Sequence, residues 1–240
     1  MILEICANSV QSAVNADLAG ADRIELCQNL NEGGTTPSFA SIKYCVEHLR
    51  LKTFVLIRPR AGDFCYSDLE FEIVKNDILQ CKKIGVHGVV VGFLNRDYTI
   101  DVEKTKRIVE LAVPMEVTFH RAFDICNLHW QSLEDVIGTG CHRILTSGFH
   151  PTAIEGVKEL IVLKNQAAGR IKLLVGSGVN SRNINELIRK TGLTEFHASA
   201  KKIVKDIGFT AGKEYLDASN WQFQESDVEE MGRMLRCLDI

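Results

Sequence analysis

Cys6 and Cys27 close two strings that nearly repeat each other, Leu3-Glu4-Ile5-Cys6 and Ile24-Glu25-Leu26-Cys27. In each, the aliphatic residues keep one parity while the glutamate and cysteine keep the other. An extended chain sends alternate side chains to opposite faces, so each string would present a carboxylate and a thiol on one face. Adjacent strands lie about 4.8 Å apart. Cys6 and Cys27 at equivalent heights on neighbouring strands would therefore place two sulfurs around one soft ion. Sulfur ligands select Cu(I) over hard cations. The competing reading is that both are small buried hydrophobes, a common fate of free cysteine.

Three further strings carry chemistry. Arg58-Pro59-Arg60-Ala61-Gly62-Asp63-Phe64 puts two guanidinium forks at a turn, a geometry suited to a carboxylate or phosphate. Its alternative is that Arg58 neutralises nearby glutamates. His120-Arg121-Ala122-Phe123-Asp124 offers a histidine as general acid/base beside charged neighbours, or else a structural hydrogen-bonding residue. Gly176-Ser177-Gly178-Val179 exposes backbone N–H groups, and Ser181-Arg182-Asn183 is expected to cap a helix directly after it, the combination that binds anions. Taken together these give a second reading. It is an enzyme on a small phosphorylated or carboxylated metabolite, with His120, Asp124 and Glu25 catalytic and Arg58, Arg60, Gly176, Ser177 and Gly178 holding the anion. No residue pattern names a substrate or a reaction.

The elements that must hold these residues recur along the chain. Strand-like runs fall at 2–6, 23–27, 53–58, 88–92, 115–120, 142–146, 171–176 and 195–199, starting 21 to 35 residues apart. Stretches of helical spacing separate them, and Gly20, Gly85, Gly140, Gly169 and Gly192 stand where those helices should stop. Strands alternating with helices make a parallel sheet. Eight units in about 240 residues predict an α/β fold, a single-domain (β/α)8 TIM barrel over residues 1–240. Helices cover the outside of such a barrel, so the polar parity must face the axis. That places Glu4, Cys6, Glu25, Cys27, Glu116, Thr118, His120, Glu195, His197 and Ser199 inward, with Arg58 arriving at the end of the third strand. A lumen that serves only stability is filled by aliphatic layers. Charges there cost several kcal/mol each unless paired, so the lumen is read as a functional pocket.

Bulk properties exclude several classes. The net charge is −3, with 45% hydrophobic and 25% charged residues, so no basic nucleic-acid surface or membrane face is expected. The densest basic run, Lys201, Lys202 and Lys205, reads as a solvated loop. Met1-Ile-Leu-Glu-Ile-Cys enters a strand at once, and no apolar stretch approaches 18 residues. The expectation is a cytoplasmic chain that neither carries an export signal nor spans a membrane. Its eight cysteines are scattered without a C-x-x-C pair, which argues against a zinc ribbon or disulfide framework.

The longer strings resemble the CutC family, named for copper homeostasis. They include Gly20-Ala21-Asp22-Arg23-Ile24-Glu25-Leu26-Cys27, Glu32-Gly33-Gly34-Thr35-Thr36-Pro37-Ser38, Gly62-Asp63-Phe64-Cys65-Tyr66-Ser67-Asp68, Val117-Thr118-Phe119-His120-Arg121-Ala122-Phe123-Asp124 and Leu145-Thr146-Ser147-Gly148. The resemblance runs from Met1 to about Ser199. It implies a barrel, a cytoplasmic location, self-association into a homo-oligomer, and a metal-binding role in copper homeostasis. Cys6 and Cys27 occupy the family positions proposed to hold Cu(I). Ala61 stands where the family usually has glycine. The segment 200–226 reads as a final loop of this chain's own, ahead of a C-terminal helix.

Overall fold

In the computed structural model, which describes residues 1–205 and 222–238, eight parallel strands close a barrel in chain order. They are β1 (Ile2–Ala7), β2 (Arg23–Leu26), β3 (Lys52–Leu56), β4 (Gly88–Val91), β5 (Glu116–Phe119), β6 (Arg143–Thr146), β7 (Lys172–Val175) and β8 (Glu195–Ala198). The outer ring holds α1 (Val10–Ala19), α2 (Phe39–His48), α3 (Asp68–Lys83), α4 (Val102–Ala112), α5 (His129–Gly138), α6 (Val157–Ala167), α7 (Ile184–Thr191) and α8 (Val228–Leu238). Local signals set the helix ends. Ser9 accepts from the Ser12 N–H at the start of α1, and Ser67 and Glu70 form a reciprocal capping box at the start of α3. Gly20 ends α1 at φ 86°, a left-handed conformation that a residue with a Cβ adopts at a cost. No described helix is long and apolar enough to cross a membrane.

The two parities of the strands separate cleanly. Leu3, Ile5, Ile24, Leu26, Val117, Phe119, Ile144 and Phe196 join the helices in one continuous apolar layer. The opposite parity fills the lumen, as alternation requires. Its floor is ionic. Arg23 donates to Glu4 and, at 2.7 Å, to Glu195. Arg143, almost wholly buried, donates to Glu116 at 2.5 Å, to Glu195 at 3.3 Å and to the Thr118 hydroxyl at 3.2 Å. Both guanidinium groups pack on the Phe54 ring, Arg23 at 5.2 Å and Arg143 at 5.0 Å from its centroid. The arginine partners of Glu4, Glu116 and Glu195 are thus Arg23 and Arg143, not Arg58, whose long fork is spent elsewhere.

The segment 200–226 is not simply a loop. β9 (Lys201–Lys205) and β10 (Gln222–Ser226) pair antiparallel, with Ser226 opposite Lys201. Residues 206–221 lie outside the described residues. The β-branched pair Ile203-Val204 favours an extended chain. The hairpin is tied to the barrel through Asn8, which donates to the Gln224 carbonyl at 3.0 Å, and Asn15, which donates to the Ser226 carbonyl at 2.9 Å. Lys201 and Lys202 therefore belong to a strand, and Lys201 lines the barrel mouth. After the hairpin, α8 packs against α1 and α7 and completes the ring.

Candidate functional site

At the C-terminal end of the barrel, above the ionic floor, the lumen opens into a cavity of about 390 Å³. Cys6 and Cys27 sit in its wall, both buried, packed with Phe54, Leu56 and Val90. Their sulfurs are 3.7 Å apart. The backbone register does not place them level: Cys6 pairs with Glu25 and Ala7 with Leu26, so Cys27 lies one inward step beyond the partner of Cys6. Barrel strands run tilted to the axis, typically by 35–45°. The offset is what lets consecutive inward side chains of neighbouring strands meet. The Cys27 partner and burial together hold the Cys6 thiol well above its ordinary pKa.

His197 joins this pair to the floor. Its Nδ1 is 2.7 Å from a Glu4 oxygen and 3.8 Å from Glu25. Burial by itself favours the neutral ring. Contacts with Cys6 and Glu4 and the charges of Glu25 and Glu4 outweigh it and raise the His197 pKa well above the usual value. Burial likewise works against the Glu4 carboxylate, yet His197 and Arg23 prevail and hold it down to about 2. Glu25 has no such bond. Burial pushes it up to about 7, His197 only partly offsetting this, and its Oε2 is buried without a hydrogen-bond partner. Glu4, Glu25 and His197 bring ligand atoms within 4.8 Å of one another. Glu4 and His197 are already committed to each other and Glu4 to Arg23, which leaves Glu25 as the open carboxyl of that group.

The expected enzymatic residues separate on inspection. His120 lines the cavity, and its Nδ1 accepts from the Ala122 N–H at 3.1 Å. Burial and the Arg58 charge push its pKa down to about 3, so the ring is neutral and Nε2 carries the proton. That Nε2 is buried without a partner. Arg58 also lines the cavity, but its terminal nitrogens donate to the carbonyls of Glu32, Gly34 and Gly62 at 2.7–2.9 Å, clamping two loops. Its Nε alone lacks a partner. Arg60 is outside the cavity wall, held by Glu70 at 2.5 Å and Asp63 at 2.9 Å. Asp124 is also outside it. Its oxygens accept from the Thr146 hydroxyl, the Ser147 and Phe149 N–H groups and Arg121, which leaves no oxygen for acid–base work on a ligand. Ser177 and Gly178 line the cavity. Gly176 does not: it lies against Leu145 and His197, where a Cβ would stand 2.5 Å from a Leu145 methyl. The Ser181-Arg182-Asn183 cap is not formed either. Asn183 makes no side-chain cap at α7, because its Oδ1 accepts from the Asn180 N–H.

Sequence reasoning missed Arg23, Arg143, Phe64 and Lys201. The two arginines share the inward parity of Glu25 and of Leu145, a signal present in the strings. Phe64 and Lys201 reach the cavity from loop and hairpin, where alternation gives no guide.

The CutC family model matches residues 1–202. A CutC family protein of Chromobacterium violaceum is 42% identical over 242 aligned residues, covering 99% of this chain and 98% of that one. The human copper homeostasis protein cutC homolog is 42% identical, over 98% of this chain and 81% of the human one. Among solved structures, the putative copper homeostasis protein CutC of Streptococcus agalactiae superposes with a TM-score of 0.78 at 32% identity, over 83% of this chain and 98% of that one. A phosphoribosylanthranilate isomerase of Thermotoga maritima superposes at 0.60 with 12% identity over 100% of this chain and 99% of that one, a likeness of fold alone.

Proposed function

The chain belongs to the CutC family, and from that premise we propose that it acts in copper homeostasis by binding Cu(I) through Cys6 and Cys27. The observation that carries this reading is the 3.7 Å separation of two buried sulfurs in the cavity wall. It is well beyond a disulfide bond of about 2.05 Å and short enough for both sulfurs to approach one ion. The donor set is soft, as Cu(I) requires. The charges also fit. Two thiolates and one Cu(I) leave a net single negative charge, and the His197 imidazolium stands beside Cys6 to balance it. Zn(II) favours four tetrahedral ligands, and the open donors here are fewer. The site belongs in the cytoplasm in this reading, where thiols stay reduced.

An anaerobic titration against a competing Cu(I) chelator tests it. One Cu(I) per chain is expected for the wild type, with loss of that site in Cys6→Ser and in Cys27→Ser. Absence of binding by the wild type, or equal binding by the double variant, overturns the assignment.

A further inference from the structure

A Cu(I) ion held by two sulfurs uses none of the other polar groups around the cavity. Six ionisable residues besides the thiols line it, and five of them are basic in type: Arg58, His120, Arg121, His197 and Lys201, against Glu25. The loop after β7 adds donors without charge. Ser177 and Gly178 take left-handed conformations in succession, at φ 73° and 72°. For serine that backbone is strained, and neighbours enforce it: the Ser177 hydroxyl donates to the Pro151 carbonyl at 2.6 Å, and its carbonyl accepts from the Ala153 N–H at 3.0 Å. Among the described residues, no protein acceptor takes the N–H groups of Ser177, Gly178 or Val179, and all three residues line the cavity. Successive free N–H groups in such a turn form an anion-binding concavity.

A second observation is independent of that loop. Arg58 Nε and His120 Nε2 are buried donors with no partner, and their residues are 4% and 6% exposed. A buried donor left without an acceptor is destabilising, because it has lost its water and gained nothing in exchange. Both residues line the same cavity and both pack on Phe64, whose ring centroid is 5.0 Å from the Arg58 guanidinium carbon and 4.7 Å from the His120 ring. A ligand acceptor at the place of that ring edge would satisfy them.

We infer that the barrel mouth also binds a small metabolite bearing an oxyanion, a carboxylate or a phosphate ester. The oxyanion sits on the Ser177, Gly178 and Val179 N–H groups, with Lys201 and Arg121 at the rim. The remainder of the ligand lies over Leu30, Leu56 and Leu145. An oxygen of the ligand displaces Phe64 to reach Arg58 Nε and His120 Nε2. A cavity of about 390 Å³ holds a compound of that size. The site uses neither sulfur, so it stands apart from the copper reading.

Amide resonances read it directly. Copper-free protein, wild type and Cys6→Ser/Cys27→Ser, is titrated with inorganic phosphate and separately with malonate at constant ionic strength. The Ser177, Gly178 and Val179 resonances are expected to move saturably with at least one of the two, equally in both proteins, and the responding probe names the head group. Lys201→Glu, an exposed position, should weaken binding by about tenfold while leaving the spectrum of the free protein otherwise unchanged. Loop amides that move with neither probe, that move without saturation, or that respond unchanged in Lys201→Glu overturn the site.

Discussion

Cys6 and Cys27 touch because their strands are out of step: the backbone pairs Cys6 with Glu25, yet the two sulfurs stand 3.7 Å apart across the tilted sheet. The contact keeps the proton on Cys6. Cys27 beside it and burial around it hold the Cys6 thiol far above its usual pKa, so Cu(I) must displace at least one proton to bind. Apparent Cu(I) affinity should rise about tenfold per pH unit for each proton released. Competition titrations at pH 6, 7 and 8 check this, and a flat profile would place the ion elsewhere.

Glu25 gives the barrel an inverted pH response at one position. Its folded pKa of about 7 lies above the ordinary 4.5, so between those values the folded state holds a proton the unfolded chain has lost. Stability from this group falls as pH rises through that window, and the penalty is complete above pH 7. Glu25→Gln should therefore raise Tm at pH 8, by no more than about 3 kcal/mol of stability, and leave it unchanged near pH 4.5. Glu4 has the opposite sign. Held at about 2, its contribution is present above pH 4.5 and fades toward pH 2.

Arg143 ties Glu116 and Glu195 together in the lumen floor. Arg143→Met leaves those carboxylates short of a counter-charge, and breaking a buried pair in this way costs about 3–5 kcal/mol. Arg170→Ala breaks the exposed pair with Glu134 and should cost far less, because solvent screens that pair. Chemical denaturation of the two variants separates these cases.

Asp124 organises the turn after β6. Donors from four residues converge on it: Thr146, Ser147, Phe149 and Arg121. Asp124→Ala should destabilise the protein by about 2–4 kcal/mol and leave Cu(I) stoichiometry unchanged in the fraction that folds. A stable variant that has lost the metal would contradict this assignment.

Much of this was legible in the residues. The alternation in Leu3-Glu4-Ile5-Cys6 and Ile24-Glu25-Leu26-Cys27 gave the inward thiols and carboxylates, because helices outside a barrel leave polar side chains only one way to face. The same alternation assigns Arg23 and Arg143 inward, and with them the ion pairs of the floor. It could not give the role of Arg58, since the carbonyls of Glu32, Gly34 and Gly62 reach it from loops whose path no periodicity encodes. The partners of Asp124 were hidden for the same reason: all but Arg121 lie on the next strand's turn, 22 to 25 residues away. Register was the other gap. Near-repeating strings imply equal heights, whereas strand tilt sets the actual offset.

X-ray absorption at the copper edge, on protein loaded anaerobically with one equivalent of Cu(I), measures the central claim most directly. Two sulfur ligands are expected in the wild type and are lost in Cys6→Ser/Cys27→Ser. A shell of nitrogen and oxygen alone, or a sulfur shell that survives in the double variant, would contradict it.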